Sequence, residues 1–137
     1  MQTRLTLNTS GPGLYELTDD VVRWVAEVGG DGLLTLFLRH TSASLLIQEN
    51  ADPTAKADLE TFFKRLIPPA DDPGMAWVSH RFEGPDDMPA HLKAAILPTH
   101  LSVPVSGGRM ELGTWQGLYL FEHRNAPHRR EIALHLG

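Results

Sequence analysis

The sequence predicts an α+β fold built largely on antiparallel sheet, and three observations predict it. Short apolar stretches with alternating polarity recur along the chain, as half-buried strands require. Glycine-bearing turns join several of them at hairpin distance. Helical start signals occur in only three places, too few to put a helix between every pair of strands as a doubly wound parallel sheet demands. The expected architecture is one domain over residues 1–137, a sheet or sandwich of seven or eight strands with about three helices.

Thr3, Leu5 and Leu7 are separated by Arg4 and Thr6, which suits a first strand over residues 1–9, and Ser10-Gly11-Pro12-Gly13 makes a turn. Thr18 stands where it can cap a helix, with Asp19 and Asp20 in the first turn, where carboxylates favour the helix dipole. Val21, Val22, Trp24, Val25 and Val28 follow, and Gly29-Gly30 ends that helix. Residues 33–39 read as a buried strand, with Leu34, Leu36 and Leu38 on one face, shared with His40 if the strand runs that far. A short strand over residues 44–48 precedes Asp52-Pro53, where the aspartate caps a helix and proline tolerates its first position. That helix runs to about Leu66, with Leu59, Phe62, Phe63 and Leu66 inward. Pro68-Pro69 and Asp72-Pro73-Gly74 form a loop, and residues 79–87 look irregular. A third helix begins at Asp87 or Met88 ahead of Pro89, carries Leu92, Ala95 and Ile96 inward and stops before Pro98. Residues 101–105 and 109–112 read as a hairpin around Gly107-Gly108; residues 118–122 and 131–136 read as another, joined by Asn125-Ala126-Pro127.

Composition narrows the chemistry. A chain of 137 residues buries roughly two-thirds of its unfolded surface and can fold without disulfides. It has no cysteine, which removes disulfide staples, cysteine-bound zinc, iron–sulfur clusters and a thiol nucleophile. The formal charge is −5, and no basic face offers the counterion release that nonspecific nucleic-acid binding needs. The nearest approach, Arg124, His128, Arg129 and Arg130, reads as a solvated hairpin tip. No basic stretch leads into an apolar run and no apolar run is long enough to span a bilayer, so neither a signal peptide nor a membrane partner is expected, and a cytoplasmic protein is. The unusual feature is seven histidines.

Four constellations carry chemistry. Arg39-His40-Thr41-Ser42-Ala43-Ser44 follows an apolar strand; three hydroxyls beside an imidazole suit an oxyanion, and equally suit a chain leaving the core. Gln48-Glu49-Asn50-Ala51-Asp52 precedes a helix; Asp52 is explained as a cap, whereas Glu49 and Asn50 can hold a metal-bound water or substrate, or form an ordinary turn. Residues 79–93 hold His80 and His91 eleven apart with Asp86 and Asp87 between them. Imidazole and carboxylate are good ligands for zinc and other divalent ions, although the spacing matches no standard zinc motif and the aspartates also serve a helix dipole. Residues 113–117, Gly-Thr-Trp-Gln-Gly, let backbone approach a ligand closely, with Trp115 to stack on a heterocycle and Gln116 to pair with its edge; a packed β-bulge is the alternative. His123 is retained as a candidate because Glu122 and His123 end a strand that begins near Trp115.

In this order, His40-Thr41-Ser42-Ala43-Ser44, Glu49-Asn50-Ala51-Asp52-Pro53, Asp86-Asp87-Met88-Pro89-Ala90-His91-Leu92-Lys93 and Leu112-Gly113-Thr114-Trp115-Gln116-Gly117 resemble the YjbQ-like family, the secondary thiamine-phosphate synthases. The resemblance covers essentially the whole chain. It implies an α+β fold, a homotrimer, and an enzyme that joins an aminopyrimidine-methyl diphosphate to a thiazole phosphate with release of pyrophosphate. Carried over by position, His40, His91, Asp87 and Glu49 are the catalytic candidates. His40, His80 and His91 would bind a divalent metal, zinc or magnesium, or else a phosphate. Asp87 would accept an imidazole N–H and fix its tautomer. Thr41, Ser42 and Lys93 would contact diphosphate, and Trp115 and Gln116 would meet the pyrimidine or wall the pocket. Two further readings use the same residues: a metal-dependent hydrolase of a phosphorylated small molecule, and a non-catalytic trimeric metabolite-binding protein.

Overall fold

The computed structural model describes residues 1–137. Eight strands and three helices follow in order: β1 (Gln2–Thr9), β2 (Gly13–Glu16), α1 (Thr18–Val28), β3 (Gly32–Leu38), β4 (Ala43–Glu49), α2 (Pro53–Leu66), α3 (Asp87–Ile96), β5 (His100–Ser106), β6 (Arg109–Met110), β7 (Gln116–Glu122) and β8 (His128–Leu136). The fold is α+β with two antiparallel sheets, as expected. One sheet has the order β1-β8-β3-β5-β6 and the other β2-β7-β4.

Alternation in the strands explains how the sheets meet. Leu34, Leu36 and Leu38 of β3 and Ile132, Leu134 and Leu136 of β8 point to one face and pack against Ala43 and Leu45 of β4 and Leu118 and Leu120 of β7. Val21 and Val25 of α1 close the same core. The opposite parity of the small sheet faces away from it: Leu46, Tyr119 and Phe121 pack with Leu14 and with Phe63 of α2. The small sheet is therefore covered on both sides, and β7 is buried at every position after Gln116.

Local signals place several elements. Asp52 accepts from the Thr54 N–H at 2.9 Å with Pro53 opening α2, the capping arrangement the sequence predicts. Gly107 and Gly108 adopt φ of +56° and +75°, the pair of positive values a two-residue hairpin turn needs. They join Ser106 to Arg109 across that turn.

Five expectations are corrected. Residues 118–122 and 131–136 do not pair: β7 lies between β2 and β4, while β8 lies between β1 and β3. Both strands carry an apolar face, and apolar alternation says which face is buried without saying which strand is the neighbour. Thr18 is not a cap; the N-cap is Leu17, without a side-chain bond. The Thr18 hydroxyl instead donates to Glu16 Oε2 at 2.8 Å and accepts from the Leu118 N–H at 2.9 Å, tying α1 to β7. In α2 only Phe63 is buried, while Phe62 and Leu66 are exposed, because the helix covers a sheet of only three strands. In α3 the buried residues are Asp87, Pro89, Ala90 and Ala94, and Ile96 lies in solvent. That helix is turned so that a carboxylate faces inward, where paired arginine compensates it. Finally, Arg124 and Arg130 are not a solvated tip; each is drawn into an ion pair described next.

Candidate metal centre

Asp87 begins α3 and is 1% exposed. A buried carboxylate needs partners; two basic side chains supply them and a third faces it. His80 Nε2 lies 2.9 Å from Oδ2, Arg124 Nη1 lies 2.8 Å from Oδ1, and His91 Nε2 lies 3.3 Å from Oδ1. Asp87 and His91 are four apart on one helix and so share a face. His80 reaches the same spot from the irregular segment before the helix. One ligand atom from each of His80, Asp87 and His91 lies within 4.8 Å of the others.

His91 is oriented from its far side. Its Nδ1 lies 2.8 Å from the Thr41 carbonyl oxygen, which can only accept, so the proton sits on Nδ1. This bond joins α3 to the segment leading into β4. The His80 ring is about half exposed, and that of His91 is 30% exposed, so the cluster is open to solvent on one side.

Arg124 carries much of the arrangement. Its Nε donates to Asp86 Oδ2 at 2.9 Å, its Nη1 to Asp87 and its Nη2 to the Glu83 carbonyl. Burial pushes the Asp86 carboxyl up, but the Asn125 N–H and the Arg124 guanidinium outweigh it and hold the group below its ordinary value.

A second buried polar network lies between the sheets. Arg130 Nε donates to Glu122 Oε1 at 2.8 Å, and its Nη2 donates to Glu122 Oε2 and to Ser42 Oγ. Thr9 donates to Glu122 at 2.6 Å. Burial alone would raise the Glu122 carboxyl; the bonds from Arg130, Thr9 and the Arg124 N–H hold it low. Beside it, Ser44 Oγ and His123 Nε2 are 2.9 Å apart. Burial, then nearby Lys93, pushes the His123 imidazole down to about 3.

The candidates from the sequence thus divide. His80, Asp87 and His91 come together. His40 stays out of the group: its Nε2 accepts the Glu131 N–H at 2.8 Å. Burial and Arg130 hold its imidazole below the ordinary value. Thr41 contributes its carbonyl rather than its hydroxyl, and the Ser42 hydroxyl is engaged by Arg130. Lys93 opens instead onto a cavity behind α3. Burial, with Lys64 adding to it, holds its ammonium below the usual range.

Glu49, Trp115 and Gln116 form a separate group. Glu49 pairs with Gln116 at one end of the β4–β7 ladder, and Ala43 pairs with Glu122 at the other; six strand steps make that about 20 Å. The Glu49 carboxylate accepts the Asp52 N–H and the Gln116 side chain accepts the Gly113 N–H, so both shape turns. Sequence reasoning misses the roles of Arg124, Arg130 and Ser44. The signal that bears on them is Glu122, a carboxylate that continues an apolar strand and therefore needs a buried cation.

A model of the UPF0047 protein YjbQ-like family matches residues 3–137. UPF0047 protein sll1880 of Synechocystis is 45% identical over 136 residues, covering 98% of this chain and 90% of that one. UPF0047 protein YjbQ of Escherichia coli O157:H7 is 45% identical over 135 residues, covering 96% and 94%. Among solved structures, the conserved hypothetical protein TT1486 of Thermus thermophilus superimposes with a TM-score of 0.84 at 32% identity, covering 98% of this chain and 99% of that one. These names state no reaction. Sequence match and shared architecture together establish that the chain belongs to the UPF0047 YjbQ-like family.

Proposed function

We propose that the protein acts on a phosphorylated small molecule at His80, Asp87 and His91, with a divalent transition ion held by these three side chains. The observation that carries this reading is the His91 ring. With its proton engaged by Thr41, a neutral ring turns the Nε2 lone pair toward Asp87 Oδ1, 3.3 Å away. Two electron-rich atoms facing each other repel; His80, Asp87 and His91 would hold a divalent cation, whose charge would offset that repulsion. Two imidazoles and one carboxylate suit zinc; magnesium prefers an all-oxygen shell. When bound, such an ion supplies Lewis-acid neutralisation of charge on a phosphate oxygen. The chain's own contribution is orientation. Thr41 holds the His91 tautomer, and Arg124 holds the carboxylate in place while offsetting its charge.

The reaction we assign is the thiamine-phosphate synthase type. The bond between the pyrimidine methylene carbon and the diphosphate oxygen breaks, its electron pair leaves with pyrophosphate, and the thiazole nitrogen forms the new carbon–nitrogen bond. With a divalent ion held there, the cluster would carry net positive charge and suit the departing anion. One observation favours hydrolysis of a phosphate ester instead: Trp115, the aromatic platform for a pyrimidine, stands at the far end of β7. The exposed Phe37, Phe62, Trp77, Phe82 and Trp115 offer apolar surface for a homotrimer, which sedimentation would register as three chain masses.

Coupling and phosphate release are measured with zinc added, for the wild type and His91→Ala. Coupling that falls at least tenfold in the variant supports the synthase reading. Phosphate release without coupling establishes the hydrolytic one. Activity equal in both proteins removes the site.

A further inference from the structure

A cavity of about 210 Å³ lies on the other side of α3, among α2, α3 and the end of β7. Asp86, Pro89 and Lys93, spaced three and four apart, line it, so it meets a different helix face from Asp87 and His91. Its wall is apolar, with Phe63, Ile67 and Phe121. Two carboxylates in the lining are already neutralised, Asp86 by Arg124 and Glu122 by Arg130. Glu60 remains, accepting the Leu14 N–H at 3.3 Å. Against it stand Lys64 and Lys93, neither of which makes an ion pair within the chain.

His123 adds an independent sign. It lines the same cavity and is 3% exposed. Ser44 engages its Nε2, and its Nδ1 is the one buried side-chain polar atom without a hydrogen-bond partner. Such atoms are rare in native proteins and call for an explanation. Two ammonium groups facing a single free carboxylate, beside an imidazole whose Nδ1 has no partner and over an aromatic floor, describe a receptor with positive charge to spare for an anion.

We propose that this cavity binds a small organic phosphate, its anionic head between Lys64 and Lys93 near His123 and its apolar body against Phe63 and Phe121. The site is independent of the cation cluster, and the volume suits a molecule with a single ring.

Phenyl phosphate is the probe, titrated calorimetrically into the full chain without added metal, with inorganic phosphate as the control. Saturable binding of phenyl phosphate is expected, at least tenfold tighter than inorganic phosphate. Lys93→Met should weaken it at least tenfold, and His91→Ala should leave it within twofold. In the wild type, nitrogen-15 histidine spectra should show the His123 Nδ1 resonance moving with occupancy, a reading that stands even where Lys93→Met fails to fold. Absence of binding at millimolar probe, a still His123 resonance at saturation, or loss on His91→Ala overturns the assignment. Equal affinity for the two ligands overturns the role of the aromatic wall.

Discussion

The ring of His91 is oriented by the backbone of Thr41, fifty residues earlier, through a 2.8 Å bond from Nδ1 to the carbonyl oxygen. The contact leaves Nε2 facing Asp87, so the cation binding proposed for the cluster would depend on a tautomer that a distant strand lead-in imposes. Imidazole ligands are commonly oriented in this way by a partner on the second nitrogen. Zinc should therefore stabilise the fold, by about 2.7 kcal/mol at a hundred times its dissociation constant. Magnesium at equal concentration should add far less. His91→Ala should abolish the zinc-dependent rise in Tm, read by calorimetry; a rise preserved in the variant places the ion elsewhere.

Arg124 neutralises two carboxylates at once, Asp86 and Asp87, and the second is 1% exposed. Removing one partner from a buried ion pair leaves an uncompensated charge and costs about 3–5 kcal/mol. Arg124→Met should lose roughly that much in urea denaturation. It should also disturb the His80–Asp87–His91 geometry, so zinc affinity should fall along with stability. Lost stability at unchanged zinc affinity would confine Arg124 to folding.

How legible the cluster is in the sequence depends on chain distance. Asp87 and His91 stand four apart on a helix whose start Pro89 helps to mark, and His80 lies seven residues before Asp87, so proximity follows from local rules. Arg124 lies 37 residues from Asp87, and only the placement of β7 brings it there. The same holds for His40, which would share the face of Leu34, Leu36 and Leu38 only if β3 ran that far; β3 ends at Leu38, and His40 serves the Glu131 N–H. Strand parity tells which face a residue occupies and nothing about its polar partner. Trp115 and Gln116 stand apart from the cluster for a related reason. They look adjacent to Glu122 and His123 in a short run of motifs, but an extended strand carries its two ends about 20 Å apart. The exposed Ile96 shows the limit for helices: residue type sets a hydrophobic stripe, and a buried ion pair can rotate the helix off it.

The Glu122–Arg130 pair is the most deeply buried ionic contact in the chain, with side chains 0% and 3% exposed. Its value is set by what happens to the survivor. Glu122→Gln should cost about 3–5 kcal/mol because Arg130 is left buried without a counterion. The double substitution Glu122→Leu with Arg130→Met removes both charges and should recover part of that loss, although Thr9 and Ser42 each lose a partner. Chemical denaturation of the single and double variants checks this. A double variant no more stable than Glu122→Gln would mean that the hydrogen-bond network, rather than the charge, holds the two sheets.

His123 makes the fold acid-sensitive above the range where carboxylates titrate. In the unfolded chain its imidazole keeps an ordinary value of 6.5, and in the fold burial holds it at about 3. Between those values the unfolded chain binds the extra proton, so its contribution to stability is complete above pH 6.5. It is lost as pH falls toward 3, with a limiting slope of about 1.4 kcal/mol per pH unit. His40 is displaced in the same direction and adds to the slope. Glu122 and Asp86 are held low, so their contribution is lost as pH falls through the ordinary carboxylate range and below it. The window from pH 6.5 to 5 therefore isolates the histidines. Urea denaturation across it should show stability falling with acid in the wild type, and the slope should shrink in His123→Asn by up to about 1.4 kcal/mol per unit near pH 5. An unchanged slope would mean that His123 is protonated in the fold, with its Nδ1 donating to a group that the buried site does not provide.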